Sequence, residues 1–215
     1  MAGCCNARGC DGFFSARMAR RAAERYRKKG VDKTARRMVA FLEEHGIEGA
    51  TILEIGGGVG EVQLELLKRG AARTLNLELS PGYDEEATRL LREAGVEGLV
   101  ERRLHDVATD PDGVEPADVV VLHRVVCCYP DYEQLLGAAA DHARRLLVFS
   151  YPPRNVLSRF LLGAQNLLFR LQRNEFRTFA HPPARMLAVV EERGLLHAYG
   201  HHPLVWQLDG FERRV

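Results

Sequence analysis

The sequence predicts an α/β fold: a seven-stranded, mostly parallel β-sheet with helices on both faces and an antiparallel terminal hairpin. Short apolar segments alternate with amphipathic helical segments after His45-Gly46, and such alternation forms parallel sheets covered by helices on both faces. Two strand-like stretches, separated only by the turn at His202-Pro203, then end the chain. The length of 215 residues suits a single domain with a full hydrophobic core.

The elements are bounded by ordinary turn and cap residues. Helices are predicted at 13–29, from Asp32 onward, and at 60–69, 81–94, 131–143 and 182–193. Gly30, Gly70 and Gly95 suit helix ends, and Ser80 can cap the helix that begins at Pro81. Parallel strands are predicted at 51–55, 74–79, 99–104, 118–122 and 145–150, and the hairpin strands at 195–202 and 204–212.

Composition is that of an ordinary globular protein, at 46% hydrophobic, 27% charged and a net charge of +1. No apolar run is long enough to span a membrane, and MAGCCNARGCDGFF lacks the apolar core of a signal peptide. We therefore expect a cytoplasmic protein. Residues 1–45 hold eleven Lys/Arg against five Asp/Glu, and 151–185 hold six Arg against one Glu. These basic segments could draw in an anionic ligand, or arginine could simply be the favoured helix-surface cation.

The five cysteines do not predict a disulfide framework, because their number is odd and no secretion signal precedes them. Cys4, Cys5 and Cys10 lack C-x-x-C spacing, so no metal site is expected. The adjacent Cys127 and Cys128 could bind a metalloid, sense redox state or pack as small hydrophobic side chains.

A glycine-rich turn, Gly56-Gly57-Gly58-Val59-Gly60, joins the strand TILEI to a helix. Glycine is needed where the backbone turns sharply and where a ligand must touch the main chain. The dinucleotide fingerprint requires glycine at position 61, where this chain has Glu61, and no Gly-Lys-Ser/Thr of a P-loop follows. The turn thus indicates a nucleotide-like cofactor that carries no phosphate.

Three acidic residues stand at the ends of successive predicted strands. Glu78, eighteen residues after Gly60, can accept hydrogen bonds from both ribose hydroxyls. Asp106 can accept a hydrogen bond from an adenine amino group, or it can cap a helix or hold a loop. Glu54 can meet a cationic amino group, or it can be a solvated strand-end acid.

With these motifs, residues 33–212 resemble the class I S-adenosylmethionine (SAM)-dependent methyltransferases. LEIGGGVG is similar to their first motif, NLELS to the second, LHDVA to the third and ADVVVLHRVVCCYPD to the fourth. The stretches LHRVVCCYPD and ERYRKKGVDKTARR also resemble bacterial magnesium-protoporphyrin O-methyltransferase-like proteins. The resemblance implies a Rossmann-like fold, SAM as cofactor and S-adenosylhomocysteine (SAH) as product. It assigns cofactor binding to Glu54, Gly56, Gly58, Gly60, Glu78, Leu79, Asp106, Val107 and His123.

Residues of the methyl acceptor site should follow the fourth strand, near the switch point of the sheet. His123 is the candidate catalytic base, or it packs beside the cofactor. Tyr129 could orient a substrate as a catalytic residue, cover the cofactor, or be an ordinary half-buried aromatic. Arg124 could bind an acceptor carboxylate or form a surface salt bridge. Asp131 is the expected N-cap of the following helix.

Two segments are expected to surround the acceptor: a basic helical lid at 1–45 and a helical cap insertion at 154–181 in the SAM-binding domain 46–215. In the family, insertions after the fifth strand help to build the acceptor pocket, whereas simple packing on the sheet edge is the alternative. Tyr26 and His181 join Arg124 as candidate substrate-binding residues. One apolar face of the cap is marked by Leu157, Phe160, Leu161, Ala164, Leu168 and Leu171.

The favoured function is therefore O-methylation of a small, partly apolar, anionic molecule. RNA methylation is an alternative suggested by the arginine-rich flanks, but without an RNA-binding module we do not expect nucleic acid as a partner. A non-catalytic SAM-binding regulatory protein is a further alternative. The sequence leaves the oligomeric state open.

Overall fold

The computed structural model describes residues 13–214 and contains the predicted seven-stranded sheet. Five parallel strands lie in the order β3-β2-β1-β4-β5, and β7 pairs antiparallel with both β5 and β6. The predicted architecture is confirmed, including the terminal hairpin. The strands are β1 (Thr51–Ile55), β2 (Arg73–Glu78), β3 (Val100–Leu104), β4 (Ala117–Leu122), β5 (Ala143–Tyr151), β6 (Leu195–His201) and β7 (Gln207–Arg213).

The helices begin and end close to the predicted cap residues. Asp32 caps its helix by accepting the backbone N–H groups of Thr34 and Ala35. The helix predicted from Pro81 starts instead with a 3₁₀ turn at Pro81–Tyr83, in which Ser80 accepts the N–H of Gly82. The helices are α1 (Ala16–Lys29), α2 (Lys33–Glu44), α3 (Glu61–Leu67), α4 (Asp84–Ala94), α5 (Tyr132–His142), α6 (Val156–Leu171) and α7 (Pro183–Glu191).

Apolar side chains fill both faces of the sheet, because successive residues of a strand point to opposite sides. In β1, Leu53 belongs to the layer covered by α5 and α7, and Ile52 belongs to the layer covered by α2 and α3. Both layers are buried, which explains why the central strands are nearly continuous apolar runs rather than alternating ones.

The described part of the basic N-terminal segment divides into two differently packed helices. α2 lies on the sheet, and its Met38, Phe41 and Leu42 are buried in the core. α1 lies instead against α4, through the fully buried Ala19 and Ala23. Within the described residues, Phe14 before α1 and Ala22 and Arg25 of α1 line the clefts at the carboxyl ends of the strands.

The predicted apolar face of α6 is exposed in the structure. Phe160 is 72% exposed and Leu171 is 73% exposed, while Phe169 on the opposite face is buried. Periodicity shows which residues share a helical face, but it does not show what that face contacts. Here the inward face is the one that carries Phe169.

Among residues 13–214, no helix has the length and apolar character needed to cross a membrane. The cytoplasmic location stays a prediction.

The hairpin makes a close contact that glycine alone allows. Gly210 of β7 is buried against Phe41 of α2, and a Cβ at position 210 would lie 2.6 Å from a carbon of that ring. Because the ring is itself buried between helix and sheet, we expect Gly210→Ala to lower the free energy of unfolding by about 1–3 kcal/mol.

Urea denaturation provides the measurement, and Gly98→Ala is the matched control, since a Cβ there has nothing within 4 Å. Equal stability of the Gly210→Ala protein and the Gly98→Ala protein would contradict this account of the α2–hairpin contact.

Candidate active site

The site lies at the carboxyl ends of β1, β2 and β4. The chain runs from β1 toward β2 on one side, while β4 occupies the other side of β1. This is the switch point of the strand order, where open α/β sheets form a crevice for ligands. Two clefts open there. They share Phe14, Gly56, Gly58, Tyr83 and Arg124 in their walls.

The glycine turn approaches its neighbours too closely for side chains. Gly56 has a φ of +66°, and a Cβ on it would lie 2.6 Å from Cγ2 of Val125 in the loop after β4. Gly58 has a φ of +56°, the left-handed region that favours glycine. Gly60 caps α3 and lies outside both cleft linings, so its role in the structure is to turn the chain into the helix.

Glu78 is the strand-end acid that lines the main cleft. One oxygen accepts the N–H of Gly58 at 2.8 Å, and the other accepts the N–H of Leu79 at 2.8 Å. The side chain is only 8% exposed, so its position is fixed by the loop. Beyond the five shared residues, this cleft is lined by Ile55, Leu77, Glu78, Leu79, His105, Asp106, Val107, Val125, Cys128, Tyr129 and Leu135.

Asp106 and Tyr129 meet at the far end of the main cleft. The Tyr129 hydroxyl donates to the Asp106 carboxylate at 3.0 Å, and Asp106 also accepts the N–H of Ala108 in a short turn. Val107 beside them is buried. The structure thus places Tyr129 at Asp106, with its hydroxyl engaged there rather than in the second cleft.

The second cleft, here called the side cleft, contains Glu54. Burial raises the pKa of Glu54 to about 8, and Asn76 Nδ2 donates to its carboxylate at 3.1 Å. Glu54 was considered either as a ligand of a cationic group or as a solvated acid; it is not solvated, being 1% exposed. Beyond the shared residues, the side cleft is lined by Ala22, Arg25, Glu54, Gly57, Val59, Glu61, Val62 and His123.

Arg124 stands between the two clefts and is held by an ion pair. Its guanidinium lies 2.5 Å from Asp32 Oδ2 and is centred 4.7 Å from the Trp206 ring. Burial alone would raise the pKa of Asp32, but the nearby His123 ring, the backbone N–H of Ala35 and the charge of Arg124 hold that pKa well below its usual range. The φ of Arg124 is +60°, an uncommon backbone state for a residue with a side chain.

His123 is hydrogen-bonded through one ring nitrogen and faces a carboxylate with the other. Ser150 Oγ accepts the N–H of Arg124 at 2.9 Å, so its own proton is available to His123 Nδ1 at 3.2 Å. The other nitrogen, Nε2, lies 3.5 Å from Asp32 Oδ2. His123 therefore belongs to the group of residues that orients Arg124.

Tyr26 lies outside both cleft linings, contrary to its expected contact with substrate. Its hydroxyl donates to Glu65 at 2.7 Å and accepts from Lys68 at 2.9 Å. Glu65 lies in α3 and Lys68 follows it directly, so the side chain at position 26 of α1 points toward α3. Ala22 and Arg25 of α1 face the side cleft instead.

His181 also lies outside both linings. It is 9% exposed, and its Nε2 lies 2.9 Å from the backbone oxygen of Tyr129. Burial lowers the pKa of His181, so the neutral ring is favoured. In the structure it joins the segment after α6 to the loop after β4.

Aromatic rings join the N-terminal segment to the segment around α6. Phe13 stacks on Phe176 at 4.4 Å between ring centroids, and Phe14 meets Phe176 edge-on at 5.0 Å. Phe14 is also held by its carbonyl, which accepts from Ser80 Oγ at 2.8 Å. Phe14 thereby becomes a wall of both clefts.

Cys127 and Cys128 lie in a short turn of the loop after β4. Their sulfurs lie 3.7 Å apart and form no disulfide, and of the two only Cys128 lines the main cleft. A hydrogen bond from Cys128 lowers the pKa of the Cys127 thiol. Cys4, Cys5 and Cys10 lie outside the described residues. No metal-binding group of His, Cys, Asp or Glu occurs within 13–214.

Sequence reasoning missed the roles of Asp32, Tyr83 and Ser150. Asp32 was recognised only as a helix cap and Tyr83 only as part of a helix, because local patterns do not report contacts between distant segments. For Ser150 the sequence did offer a signal. It is a hydroxyl-bearing residue near the end of an otherwise apolar, buried strand, and a buried hydroxyl needs a hydrogen-bond partner.

The double role of Asp32 can be separated by substitution. Asn caps helices as well as Asp does, so Asp32→Asn should remove only the ion pair, at a cost of about 1 kcal/mol in the free energy of unfolding for these partly exposed partners. Asp32→Ala should cost about 1 kcal/mol more, because the cap is lost as well.

Denaturant unfolding at several pH values checks both expectations. Since pairing lowers the pKa of Asp32, its contribution is present above the ordinary carboxyl pKa of about 4 and is lost as the pH falls below it. A wild-type protein whose acid sensitivity equals that of Asp32→Asn would contradict this assignment.

Comparisons with known proteins agree with this geometry. The family described as "Methyltransferase domain" matches residues 21–201. Magnesium protoporphyrin IX methyltransferase from Synechocystis PCC 6803 with bound SAH is similar in structure, with a TM-score of 0.74, 18% sequence identity, and coverage of 95% of this chain and 98% of that one. The same enzyme with bound SAM is similar with a TM-score of 0.67 and 17% sequence identity, and the match covers 93% of this chain and 84% of that one.

An O-methyltransferase family protein from Burkholderia thailandensis is also similar, with a TM-score of 0.69, 21% identity, and coverage of 96% of this chain and 63% of that one. Among curated proteins, none matches the sequence significantly. The family match covers most of the chain, and the structural likenesses share its fold. The chain therefore belongs to the methyltransferase domain family and is a SAM-dependent methyltransferase with the Rossmann-like class I fold.

Proposed function

We propose that this chain methylates an oxygen atom of a small, partly apolar, anionic molecule. The observation that carries the proposal is the position of Arg124, which is part of the lining of both clefts. A guanidinium at that point can bind a carboxylate or phenolate beside the end of the cofactor that carries the methyl group.

The polar groups that line the clefts match those of the cofactor. SAM supplies a methyl group that is already activated on a sulfonium. Glu78 would hold the ribose, and Asp106 with Val107 would hold the adenine, while Gly56 and Gly58 leave room where side chains would intrude. Glu54 would hold the cationic amino group in the side cleft. These residue roles are proposals that agree with the observed geometry.

The walls around Arg124 explain why the proposed acceptor is partly apolar. Phe14, Tyr83 and Val125 line the main cleft together with Arg124 and add apolar surface to it. The left-handed backbone of Arg124 costs about 1–3 kcal/mol, and such strain persists only where surrounding contacts determine it. Asp32, Ser150 and Trp206 provide those contacts.

The surroundings of His123 favour an acceptor that needs no general base. A base must offer a nitrogen lone pair to the acceptor's proton, but Nδ1 accepts from Ser150, so Nε2 carries the hydrogen of the neutral ring and faces Asp32. An acceptor that is already ionised, such as a carboxylate, avoids this requirement. We therefore assign His123 to positioning Arg124, and Tyr129 to positioning Asp106.

Glu54 makes cofactor binding depend on pH. Because burial raises its pKa to about 8, the carboxyl group holds its proton at neutral pH. A cationic amino group favours the carboxylate, so binding must release that proton. We expect the affinity for SAM to rise about tenfold between pH 6 and pH 7, measured by titration calorimetry.

Glu54→Gln is the matched control, because it keeps the shape of the side chain but has no proton to release. It should bind SAM more weakly at pH 7.5 and show little change between pH 6 and pH 7. An equal pH dependence in both proteins would remove Glu54 from the amino-group site.

The acceptor proposal is tested by transfer of labelled methyl groups to a panel of aromatic and aliphatic carboxylates, phenols, matched neutral amides and RNA. We expect carboxylates or phenols to be methylated. Arg124→Gln should raise KM for them by about tenfold or more, since a charge-assisted hydrogen bond is lost, while the Kd for SAM changes by less than about twofold.

Arg124→Lys restores the charge without the planar donor set and should recover part of the loss in KM. The rate with a carboxylate should stay flat across the titration range of histidine, because no base is used. Preference for neutral acceptors or RNA, SAM binding without turnover across the panel, or an unchanged KM in Arg124→Gln would each contradict the proposal.

A further inference from the structure

The outward face of α6 is a continuous apolar surface. Its side chains recur at spacings of three and four residues, so they share one side of the helix. They point away from the domain, because Phe169 on the other side is the buried contact. The exposed members are Val156 at 84%, Leu157 at 65%, Phe160 at 72%, Leu161 at 56%, Leu167 at 58%, Leu168 at 51% and Leu171 at 73%.

A second apolar element stands at the same edge of the sheet. Leu204 and Val205, in the loop between β6 and β7, are 86% and 68% exposed. Tyr151 pairs with Gln207, so the chain that leaves β5 for α6 starts beside the end of this loop. Helix and loop therefore occupy the same end of the domain.

Positive charge accompanies this apolar surface. Exposed arginines occur at positions 154, 159, 170 and 173, and Arg177 is half-buried. Between residues 154 and 177 the only acidic residue is Glu175. An exposed apolar face beside arginines, on a helix too short to span a bilayer, is the pattern of a helix that lies in a membrane interface.

We propose that α6 and the Leu204–Val205 loop dock on a bilayer surface that contains anionic lipids. A second copy of the chain fits this surface less well, because a symmetric contact would bring the same arginines together. Anionic headgroups would instead neutralise them while the apolar side chains enter the acyl boundary. The docking surface does not depend on which acceptor the enzyme uses.

The single tryptophan of the chain provides a built-in reporter. Trp206 follows Leu204 and Val205 directly, and its ring is half-buried. Full-length protein is mixed with vesicles of phosphatidylcholine alone or with added phosphatidylglycerol. We expect co-sedimentation with the anionic vesicles, a blue shift of Trp206 emission and quenching by brominated lipids, with weaker binding at high salt.

The double substitution Leu157→Gln and Phe160→Gln should lower the partition coefficient about tenfold or more, because two apolar side chains are lost from the interface. Arg159→Gln with Arg170→Gln should lower binding only to the anionic vesicles. Leu99→Gln is the matched control: Leu99 is 44% exposed but lies in the turn before β3, away from α6. Circular dichroism checks that each variant is folded.

Absence of binding by the wild type, or equal losses in the Leu99→Gln protein and the α6 variant, would overturn the proposal. So would a dimer in analytical ultracentrifugation that the α6 substitutions convert to a monomer while vesicle binding is absent. That result would assign the surface to a second copy of the chain.

Discussion

The site depends on one steric constraint, the contact between the glycine turn after β1 and the loop after β4. A Cβ at position 56 would lie 2.6 Å from Val125, so the two loops meet at a distance that only glycine permits. The N–H of Gly56 is bonded to the carbonyl of Leu77 at 2.7 Å, which also ties the turn to β2. Three strand ends are thereby fixed relative to one another.

The same contact positions the charged residues of the site. The loop held against Gly56 carries His123 and Arg124, and the left-handed backbone at Arg124 aims its guanidinium at Asp32. Asp32 also starts α2, so the helix that covers one face of the sheet and the arginine of the site share one carboxylate. Folding of α2 and arrangement of the acceptor end are thus coupled through a single side chain.

Most of the sheet and the cofactor side of the site could be predicted from sequence, because they depend on local patterns. Apolar strands, the glycine turn, and Glu78 at a strand end are all determined by neighbours in the chain. The positions that the sequence did not predict, such as that of Tyr26, depend on contacts between distant segments. Tyr26 and Ala22 lie one helical turn apart, yet only Ala22 faces a cleft, and the outward direction of α6 depends on which of its two faces meets the domain.

The contact of Phe13 and Phe14 with Phe176 links segments from opposite ends of the chain. Phe14 borders both clefts, so separation of these rings would widen the passage for the cofactor and for the acceptor together. The two ligands then share one gate rather than two independent ones. In kinetic terms, such a gate would tie exchange of spent cofactor to departure of the methylated product, and its opening rate would set an upper limit on turnover.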